Sequence, residues 1–345
     1  MIAMKEMYSF DDFLMEPKYS DLSSRSEVEL SVRLPKGFKF DFPVLPSSMK
    51  AVASEQVLQR CYRYGMMGLL HRFEPIENQL HLLNKLDDEL GRGVFNFIGA
   101  SIGVKDADYR NLPDIINTGC KIINIDIAHG HSKLGIEMTK YVAEHYPDVL
   151  LIAPNVATVR GMEDLFRAGA DIVKLAIGNG SICTTRIQTK NGAPQMSLLM
   201  DTYRHKQEME KELGRQLLTI SDGGVRTAGD IAMALLFSDL VMSGNLFART
   251  EEAAGETIEI EGVKYKHYEG SSTHKKKHIE GVKGLVAVNG TFSELYEKIN
   301  DGLTSACSYQ GVRNLEDFKK DPTLIKITHG GMVESGSHDL EVVFK

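Results

Sequence analysis

Short apolar runs alternate with amphipathic segments along most of the chain, from about residue 43 to about residue 247. Nearly every position in each run is apolar, which is typical of parallel strands covered on both faces. The runs predict strands at 44–48, 65–70, 95–102, 122–127, 149–153, 172–177, 217–221 and 239–243. The segments between them predict helices at 55–64, 77–90, 108–117, 133–145, 161–168, 198–213 and 228–236.

About eight such strand–helix units follow one another without a break in composition. This regularity predicts the α/β class and a (β/α)8 TIM barrel, formed as a single domain over residues 1–345. An open, doubly wound sheet is the alternative. That architecture usually has fewer strands and a GxGxxG turn after the first one, and the sequence has no such turn.

The pattern changes after the eighth predicted strand. Residues 257–268 alternate in polarity around a glycine and predict a β-hairpin. Together, the hairpin and the basic stretch at 274–278 predict a mobile flap at about 250–290. This flap is expected to cover the end of the barrel that carries the active site. A helical pattern at 293–303 is expected to pack back on the barrel, and the C-terminal tail at about 320–345 is expected to be irregular or to bridge subunits.

Composition narrows the functional classes. The chain has 345 residues, 42% hydrophobic and 25% charged, as soluble globular proteins do. A net charge of −7 offers no basic field for nucleic acid or an anionic membrane, and no apolar run approaches the roughly 20 residues of a membrane helix. The four cysteines form no CxxC pair, so a reducing, cytoplasmic location is expected. Cys61 and Cys120 are expected to be buried, inert thiols.

A barrel places its chemistry just after the C-terminal ends of its strands. Polar groups and glycines do follow most of the predicted strands at that point. They are Ser47, Ser48 and Met49; His71 and Arg72; Asp126 and Ala128; Asn155; Cys183; Asp222, Gly223 and Gly224; and Gly244 and Asn245. The sequence therefore predicts a functional site at this end of the barrel. Arg72 is either a solvated loop charge or a residue near a leaving group.

The sequence GNGSICTTR at 178–186 is the most informative of these loops. Its glycines allow a tight turn and a close approach to a ligand, and Ser181 offers a hydroxyl and an amide to an anion. Cys183 stands at the mouth of the strand, where a thiolate can attack an electrophilic carbon. Thr185 can donate or relay a proton.

A phosphate site is predicted beside this loop, because the loops after strands seven and eight of such barrels often bind phosphate through backbone amides. Ser181 and Tyr268 can add hydroxyls, and Asp222 suits a ribose diol. The alternative is that the glycines only make tight turns. The loop residues concerned are Gly223, Gly224, Gly244 and Asn245.

Asp126 has two interpretations. With His129 and His131 it is a possible metal site, but the histidines are only one residue apart and no third soft ligand lies nearby. A contact with a dinucleotide is favoured, in which Asp126 orients a carboxamide or a ribose. Asn155, on the next strand, can both donate to and accept from a nicotinamide amide.

Six segments carry a resemblance to a known family: FDDF at 10–13, SRSEV at 24–28, DIAHGHS at 126–132, GNGSICTTR at 178–186, SDGGVRTAGD at 221–230 and YEGSS at 268–272. Over nearly its whole length the chain resembles the IMP dehydrogenase/GMP reductase family. The resemblance implies a barrel, usually a homotetramer, that joins a purine nucleotide at C2 to a cysteine and moves a hydride to or from nicotinamide.

The resemblance favours the GMP reductase branch, which converts GMP with NADPH into IMP and ammonia. Dehydrogenases usually carry two inserted CBS modules after the second strand, but only residues 78–96 lie there. They also use an Arg-Tyr pair in the flap, and none occurs between residues 273 and 289. An IMP dehydrogenase (IMP to XMP with NAD) or an enzyme acting on a related purine nucleotide is the alternative. A nucleotide-binding regulator without turnover is a third reading.

The resemblance also implies roles for individual residues. Cys183 would attack C2, and Thr185, with Glu294 or another acid, would protonate the departing ammonia. Asp222 would hold the ribose, and the phosphate would lie against Ser181, Gly223, Gly224, Gly244, Asn245 and Tyr268. Met49 and Gly270 would flank the base, and Asp126, Ala128, Asn155 and Lys174 would face the nicotinamide. Carbonyl oxygens of Gly178, Gly180 and Cys183 would bind a potassium ion.

Overall fold

The structure is a computed structural model that describes residues 4–270 and 283–336. Its centre is a sheet of eight parallel strands, numbered β1 to β8 along the chain. Their bounds are Val44–Pro46, Gly68–Leu70, Ile98–Ile102, Ile122–Ile125, Leu150–Val156, Ile172–Leu175, Leu218–Asp222 and Leu240–Ser243. Each overlaps a strand that the polarity pattern predicts.

Helices α1 to α7 each follow the strand of the same number, and α8 follows a segment inserted after β8. Side-chain oxygens cap several of them: those of Ser54, Ser132, Thr158 and Thr227 accept hydrogen bonds from first-turn backbone N–H groups. The helices are Glu55–Arg63, Ile76–Leu90, Asp106–Asn117, Lys133–His145, Val159–Arg167, Gln195–Leu213, Ala228–Leu235 and Phe292–Tyr309.

The strand order shows that the sheet is curled into a barrel. Neighbouring strands follow the order β1-β8-β7-β6-β5-β4-β3-β2, and β1 pairs with β8 in parallel. The remaining two edges, β1 and β2, lie in contact. The (β/α)8 prediction is confirmed, and the open doubly wound sheet is wrong because its first and last strands would not pair.

Alternate residues of the strands fill the barrel interior, as the period of two requires. The interior cluster contains Leu45, Met67, Leu69, Ile122, Leu150, Ile152, Ile172, Leu218, Ile220, Leu240 and Met242. A hairpin near the start of the chain, in which Val32–Arg33 pairs with Lys39–Phe40, adds Leu34, Phe38 and Phe40 to the same cluster. The hairpin lies at the N-terminal ends of the strands, because Lys36 Nζ donates to the carbonyl oxygen of Val149, just before β5, at 2.5 Å. It therefore closes the bottom of the barrel.

A buried charged cluster stands at the same end. Asp239, just before β8, accepts hydrogen bonds from Lys206 Nζ at 2.9 Å and Lys319 Nζ at 2.6 Å. It also accepts one from the backbone N–H of Thr219 at 2.8 Å. Burial alone would raise the pKa of Asp239, but the two lysines outweigh burial and hold it well below its ordinary value.

The segment after β8 confirms the predicted hairpin. Thr257–Ile260 (β9) pairs antiparallel with Val263–Glu269 (β10), and the turn is made by Glu261 and Gly262, both with positive φ. A third strand, Lys283–Ala287 (β11), pairs with β10. The basic stretch at 274–278, on which the prediction of a mobile flap depends, lies outside the described residues.

The first part of the C-terminal tail contains regular elements, which contradicts the irregular alternative and leaves subunit bridging as a prediction. Leu324–Lys326 pairs antiparallel with Phe13–Met15 near the start of the chain. A short helix, His329–Glu334, follows it and is capped by Thr328. Backbone pairing with an N-terminal strand was not visible in the polarity pattern of either three-residue segment. No helix in the described parts of the chain is both long enough and apolar enough to cross a lipid bilayer.

Candidate active site

A cavity of about 390 Å³ opens at the C-terminal ends of the barrel strands. With the exception of Glu294, every residue assigned to the site from the sequence lines it. They are Met49, Asp126, Ala128, Asn155, Lys174, Gly178, Gly180, Ser181, Cys183, Thr185, Asp222, Gly223, Gly224, Gly244, Asn245, Tyr268 and Gly270. The barrel thus brings together residues that lie more than 200 positions apart in sequence.

Cys183 differs from the other three cysteines in its environment. It is partly exposed and lines the cavity, whereas Cys61, Cys120 and Cys307 are buried. Burial raises the pKa of Cys120 to about 11 and that of Cys307 to about 12, so those thiols are inert at neutral pH. The thiol of Cys183 donates a hydrogen bond to Thr185 Oγ1 at 3.2 Å, which places a hydroxyl beside the candidate nucleophile.

Two glycine-containing loops and a buried tyrosine form one end of the cavity. Gly223 and Gly224 follow β7 with φ of +81° and +79°, a conformation that side-chain-bearing residues rarely adopt. Gly244 follows β8, and a Cβ there would collide with the Tyr268 hydroxyl. Burial raises the pKa of Tyr268 to about 12 against the opposing effect of a hydrogen bond with Ser181. Its hydroxyl therefore stays protonated at neutral pH and can donate to an anion.

Opposite charges meet on the floor of the cavity. Asp222 Oδ2 accepts a hydrogen bond from Asn155 Nδ2 at 2.7 Å. Burial raises the pKa of Asp222 and lowers the pKa of Lys174, and in each case the other residue's charge opposes the shift. One carboxylate oxygen of Asp222 is thus held by Asn155, and the residue lines the cavity.

The sequence reasoning missed Asn124 and Ser101, which form a polar layer with Lys174 and Ser48. Lys174 Nζ donates to Asn124 Oδ1 at 2.5 Å and to the carbonyl oxygen of Ile125 at 3.2 Å. Asn124 Nδ2 in turn donates to Ser101 Oγ at 2.8 Å and Ser48 Oγ at 3.3 Å. The sequence did contain a signal for this layer, because polar residues interrupt otherwise apolar strand segments. Such polar residues in a barrel strand face either the interior or a ligand.

Arg72, for which the sequence left two interpretations, lines the cavity. Its Nε donates to the carbonyl oxygen of Asp126 at 2.7 Å, and its guanidinium lies 4.4 Å from the centre of the Phe73 ring. It is therefore a fixed cation beside Asp126 rather than a solvated charge. His71 has a structural role, because its carbonyl oxygen accepts a hydrogen bond from Gln79 at 2.7 Å and burial lowers the pKa of its ring.

The alternative of a metal site at Asp126 is not supported. His131 Nε2 lies 2.9 Å from Asp164 Oδ2 on α5 instead of turning toward Asp126. Within the described ranges, no group of three or more His, Cys, Asp or Glu side chains is arranged to hold a metal ion.

Glu294 requires a correction. It is exposed and does not line the cavity. Its Oε2 accepts hydrogen bonds from the backbone N–H of Thr291 at 2.7 Å and from the Thr291 hydroxyl at 3.0 Å, which completes a capping box at the start of α8. Those hydrogen bonds lower the pKa of Glu294, so this carboxylate is an ionised helix cap rather than an acid aimed at a ligand. The signal was present, since Thr-x-x-Glu is a capping-box sequence.

Comparisons with known proteins agree with this architecture. A sequence model of the IMP dehydrogenase / GMP reductase domain matches residues 7–338. The GMP reductase of Staphylococcus carnosus (strain TM300) is 35% identical over 323 residues, which cover 91% of this chain and 95% of that protein. The GMP reductase of Bacillus subtilis (strain 168) is 35% identical over 331 residues, or 94% of this chain and 97% of that protein.

A dehydrogenase is also similar. The inosine-5'-monophosphate dehydrogenase of Chlorobaculum parvum (strain DSM 263 / NCIMB 8327) is 34% identical over 300 residues, which cover 81% of this chain but 59% of that protein. The family model and the alignments with the two GMP reductases each cover more than nine-tenths of the chain. The chain therefore belongs to the IMP dehydrogenase/GMP reductase family and is a purine-nucleotide oxidoreductase.

Proposed function

We propose that the protein is a GMP reductase that carries out GMP + NADPH + 2 H⁺ → IMP + NADP⁺ + NH₄⁺. The observation that carries the proposal is the partly exposed Cys183 thiol, which shares one cavity with two glycine loops and with Asp222. Similar chains named GMP reductase, covered over nearly their full length, support the same choice.

The nucleotide would lie across the cavity with its phosphate at the glycine loops. Backbone amides near Gly224 and Gly244 would donate to the phosphate oxygens, and the hydroxyls of Ser181 and Tyr268 would add two more hydrogen bonds. Asp222 would accept both ribose hydroxyl protons, and Met49 and Gly270 would flank the purine. Gly223 and Asn245 belong to the same phosphate loops. This orientation places C2 of the base toward Cys183.

The first half-reaction uses groups that the structure holds together. The sulfur of Cys183 bonds to C2, and its proton passes to the Thr185 hydroxyl 3.2 Å away. The C2–N bond then breaks, and the amino group leaves as ammonia with a proton relayed through Thr185. We assign no part of this step to Glu294, because its carboxylate caps α8.

The second half-reaction returns the sulfur to its starting state. Bound NADPH supplies a hydride to C2. The C2–S bond then breaks, its electron pair returns to Cys183, and the thiolate takes one proton from solvent to regenerate the thiol, leaving IMP. Asn155 fits the nicotinamide end, because Asp222 accepts from only one of its two N–H donors and no residue in the described ranges donates to its Oδ1. Asp126, Ala128 and Lys174 complete that end of the site.

A potassium ion belongs to the same proposal. Carbonyl oxygens are the donors that this ion takes in proteins. The carbonyl oxygen of Gly180 accepts a hydrogen bond from the Cys183 amide at 3.0 Å, and no residue in the described ranges donates to the carbonyl oxygens of Gly178 or Cys183. We expect KCl, but not LiCl, to raise both turnover and the thermal unfolding midpoint of the free protein. A cytoplasmic homotetramer is the proposed working form.

The decisive experiment is a pair of assays that follow the absorbance of reduced nicotinamide, one with GMP plus NADPH and one with IMP plus NAD. We expect turnover in the first only. Cys183→Ala should abolish it while calorimetry still detects GMP binding, and Cys120→Ala serves as the matched control with turnover intact. Turnover only with IMP and NAD would replace the proposal with IMP dehydrogenase, which the similarity to the Chlorobaculum parvum protein makes the second candidate. Binding without turnover in either assay would indicate a regulator.

A further inference from the structure

The segment that carries the candidate nucleophile is long and has little regular structure. We call residues 178–193 the cysteine loop; it runs from the end of β6 to the start of α6 and contains one short helix, Thr185–Thr189. Both Ser181 and Cys183 are on it. Few backbone hydrogen bonds hold such a loop, so side chains must determine its conformation.

Arg186 joins the two ends of the cysteine loop. Its guanidinium donates hydrogen bonds to Asn179 Oδ1 near the start of the loop and to the carbonyl oxygen of Ala193 at its end. The aliphatic part of the side chain lies against Gly178 and Gly192, which have φ of +85° and +144°. A Cβ at either glycine would collide with the Arg186 side chain. The two glycines therefore leave the space that this side chain fills.

The same contacts attach the loop to the barrel. Asn179 Nδ2 donates to Gln195 Oε1. Gln195 is buried, and its Nε2 donates to the carbonyl oxygen of Leu175 on β6 at 2.7 Å and to Ser221 Oγ on β7 at 2.9 Å. A continuous path of hydrogen bonds thus runs from Arg186 through Asn179 and Gln195 to two barrel strands.

Desolvation of the Arg186 guanidinium costs free energy that its hydrogen bonds do not fully offset. Arg186 Nε is buried and has no hydrogen-bond partner among the described residues. Burial lowers the pKa of the Arg186 guanidinium, and the neighbouring Cys183 opposes that shift. A partly buried guanidinium with an unsatisfied Nε does not favour folding, so its presence calls for another explanation.

We infer that Arg186 is a positioning residue that, through Asn179, holds the cysteine loop in the conformation that binds the nucleotide. The inference rests on the proposed function for its substrate, but the geometry that carries it is independent of that choice. Arg186 does not line the cavity and so would act only through the loop.

The loop conformation determines what a substitution should change. Without the guanidinium, the binding-competent loop is only fractionally populated, and the apparent affinity falls by that fraction. Saturating nucleotide restores the conformation through its contacts with the loop. Arg186→Met keeps the length of the aliphatic stem and removes the donors; we expect KM for GMP to rise by at least about tenfold and kcat to fall by less than about threefold.

Three further variants make the test specific. Arg186→Lys keeps a cation with N–H donors and should recover part of the lost KM. Gln188→Met, on an exposed position of the same short helix, is the matched control and should match the wild type. Asn179→Ala should raise KM as Arg186→Met does, and the double variant should cost no more than the worse single variant because both break one path.

Hydrogen–deuterium exchange of the nucleotide-free variants gives a readout that does not depend on the substrate. Arg186→Met should speed exchange at the Cys183 and Ala193 amides and leave the barrel strands unchanged. Wild-type KM and wild-type loop exchange in Arg186→Met would overturn the inference, as would faster exchange spread over the barrel, which indicates a general stability role. Absence of GMP turnover in the wild type would instead overturn the proposed function, and the exchange result would still decide the role of Arg186.

Discussion

Replacing Asp222 with asparagine tests whether the cavity holds a ribonucleotide by its sugar. The substitution keeps the shape of the side chain and removes its charge. In the structure, Asn155 Nδ2 donates to Asp222 Oδ2 at 2.7 Å, and the charge of Lys174 favours the ionised carboxylate. Asp222 lines the cavity, where two sugar hydroxyls would donate to its carboxylate.

The magnitude follows from those two hydrogen bonds. A hydrogen bond to a charged group contributes about 1.5–3 kcal/mol. The amide keeps one acceptor oxygen, so the expected loss is about 2–4 kcal/mol, or roughly a 30- to 900-fold rise in the Kd for GMP. Because the sugar does not react, the loss should appear in binding and only weakly in kcat.

Titration calorimetry with GMP and 2′-deoxy-GMP is the assay. The wild type should bind GMP about 10- to 150-fold more tightly than the deoxy analogue, which lacks one of the two donors. In Asp222→Asn that preference should shrink to within about threefold, because the group that senses the hydroxyl is gone. Asp164→Asn, which alters a carboxylate outside the cavity, is the control and should keep the wild-type preference.

An undiminished preference for GMP in Asp222→Asn would refute this reasoning, because some other group would then bind the diol. Equal loss of affinity for both nucleotides would point to a change in the charge balance with Lys174 rather than to a lost ribose contact. Circular dichroism of the variant separates both outcomes from misfolding.

Three further predictions concern other parts of the molecule. Tyr268→Phe removes a buried hydroxyl donor and should raise the Kd for GMP, measured by calorimetry, by about 10- to 150-fold. The Kd for guanosine should not change, because guanosine has no phosphate. An equal rise in Kd for both ligands would exclude a contact between Tyr268 and the phosphate. Asp239→Asn leaves two buried lysines unpaired and should lower the urea-unfolding free energy by about 3–5 kcal/mol at pH 7. Since folding lowers the pKa of Asp239 well below 3.8, its contribution is complete above that value and should shrink steadily as the pH falls below it; a difference as large at pH 2 as at pH 7 would contradict this assignment. Glu294→Ala should lower the midpoint of urea unfolding slightly without changing kcat, because the helix loses its cap; a large fall in kcat at unchanged stability would return Glu294 to the reaction.

The barrel was predictable because one physical rule acts on every strand. Segments such as 122–127 and 172–177 are apolar at nearly all positions since both faces of a parallel strand are covered, and that signal is local. The position of the site follows from the same rule, because strand ends in a barrel share one rim. The residues that line the cavity were therefore within reach of the sequence.

The features that the sequence did not predict depend on contacts with residues that are distant in sequence. The three-residue strand Leu324–Lys326 has no periodicity to detect, and only its pairing with Phe13–Met15 orders it. Asn124 could be noticed as polar, but its contacts with Lys174 and Ser101 come from other strands. The prediction for Glu294 was wrong for a different reason. A glutamate that caps a helix and a glutamate that donates a proton cannot be told apart by residue type.

The pairing of the two chain ends also affects how the enzyme is made in the cell. Phe10 packs near Gly224, and the N-terminal strand beside it finds its partner only at Leu324–Lys326. During translation, the ribosome must release more than 300 residues before that contact can form. Nascent chains should thus complete most of the barrel before this contact forms, and a product that stops before residue 324 would lack the strand that pairs with Phe13–Met15.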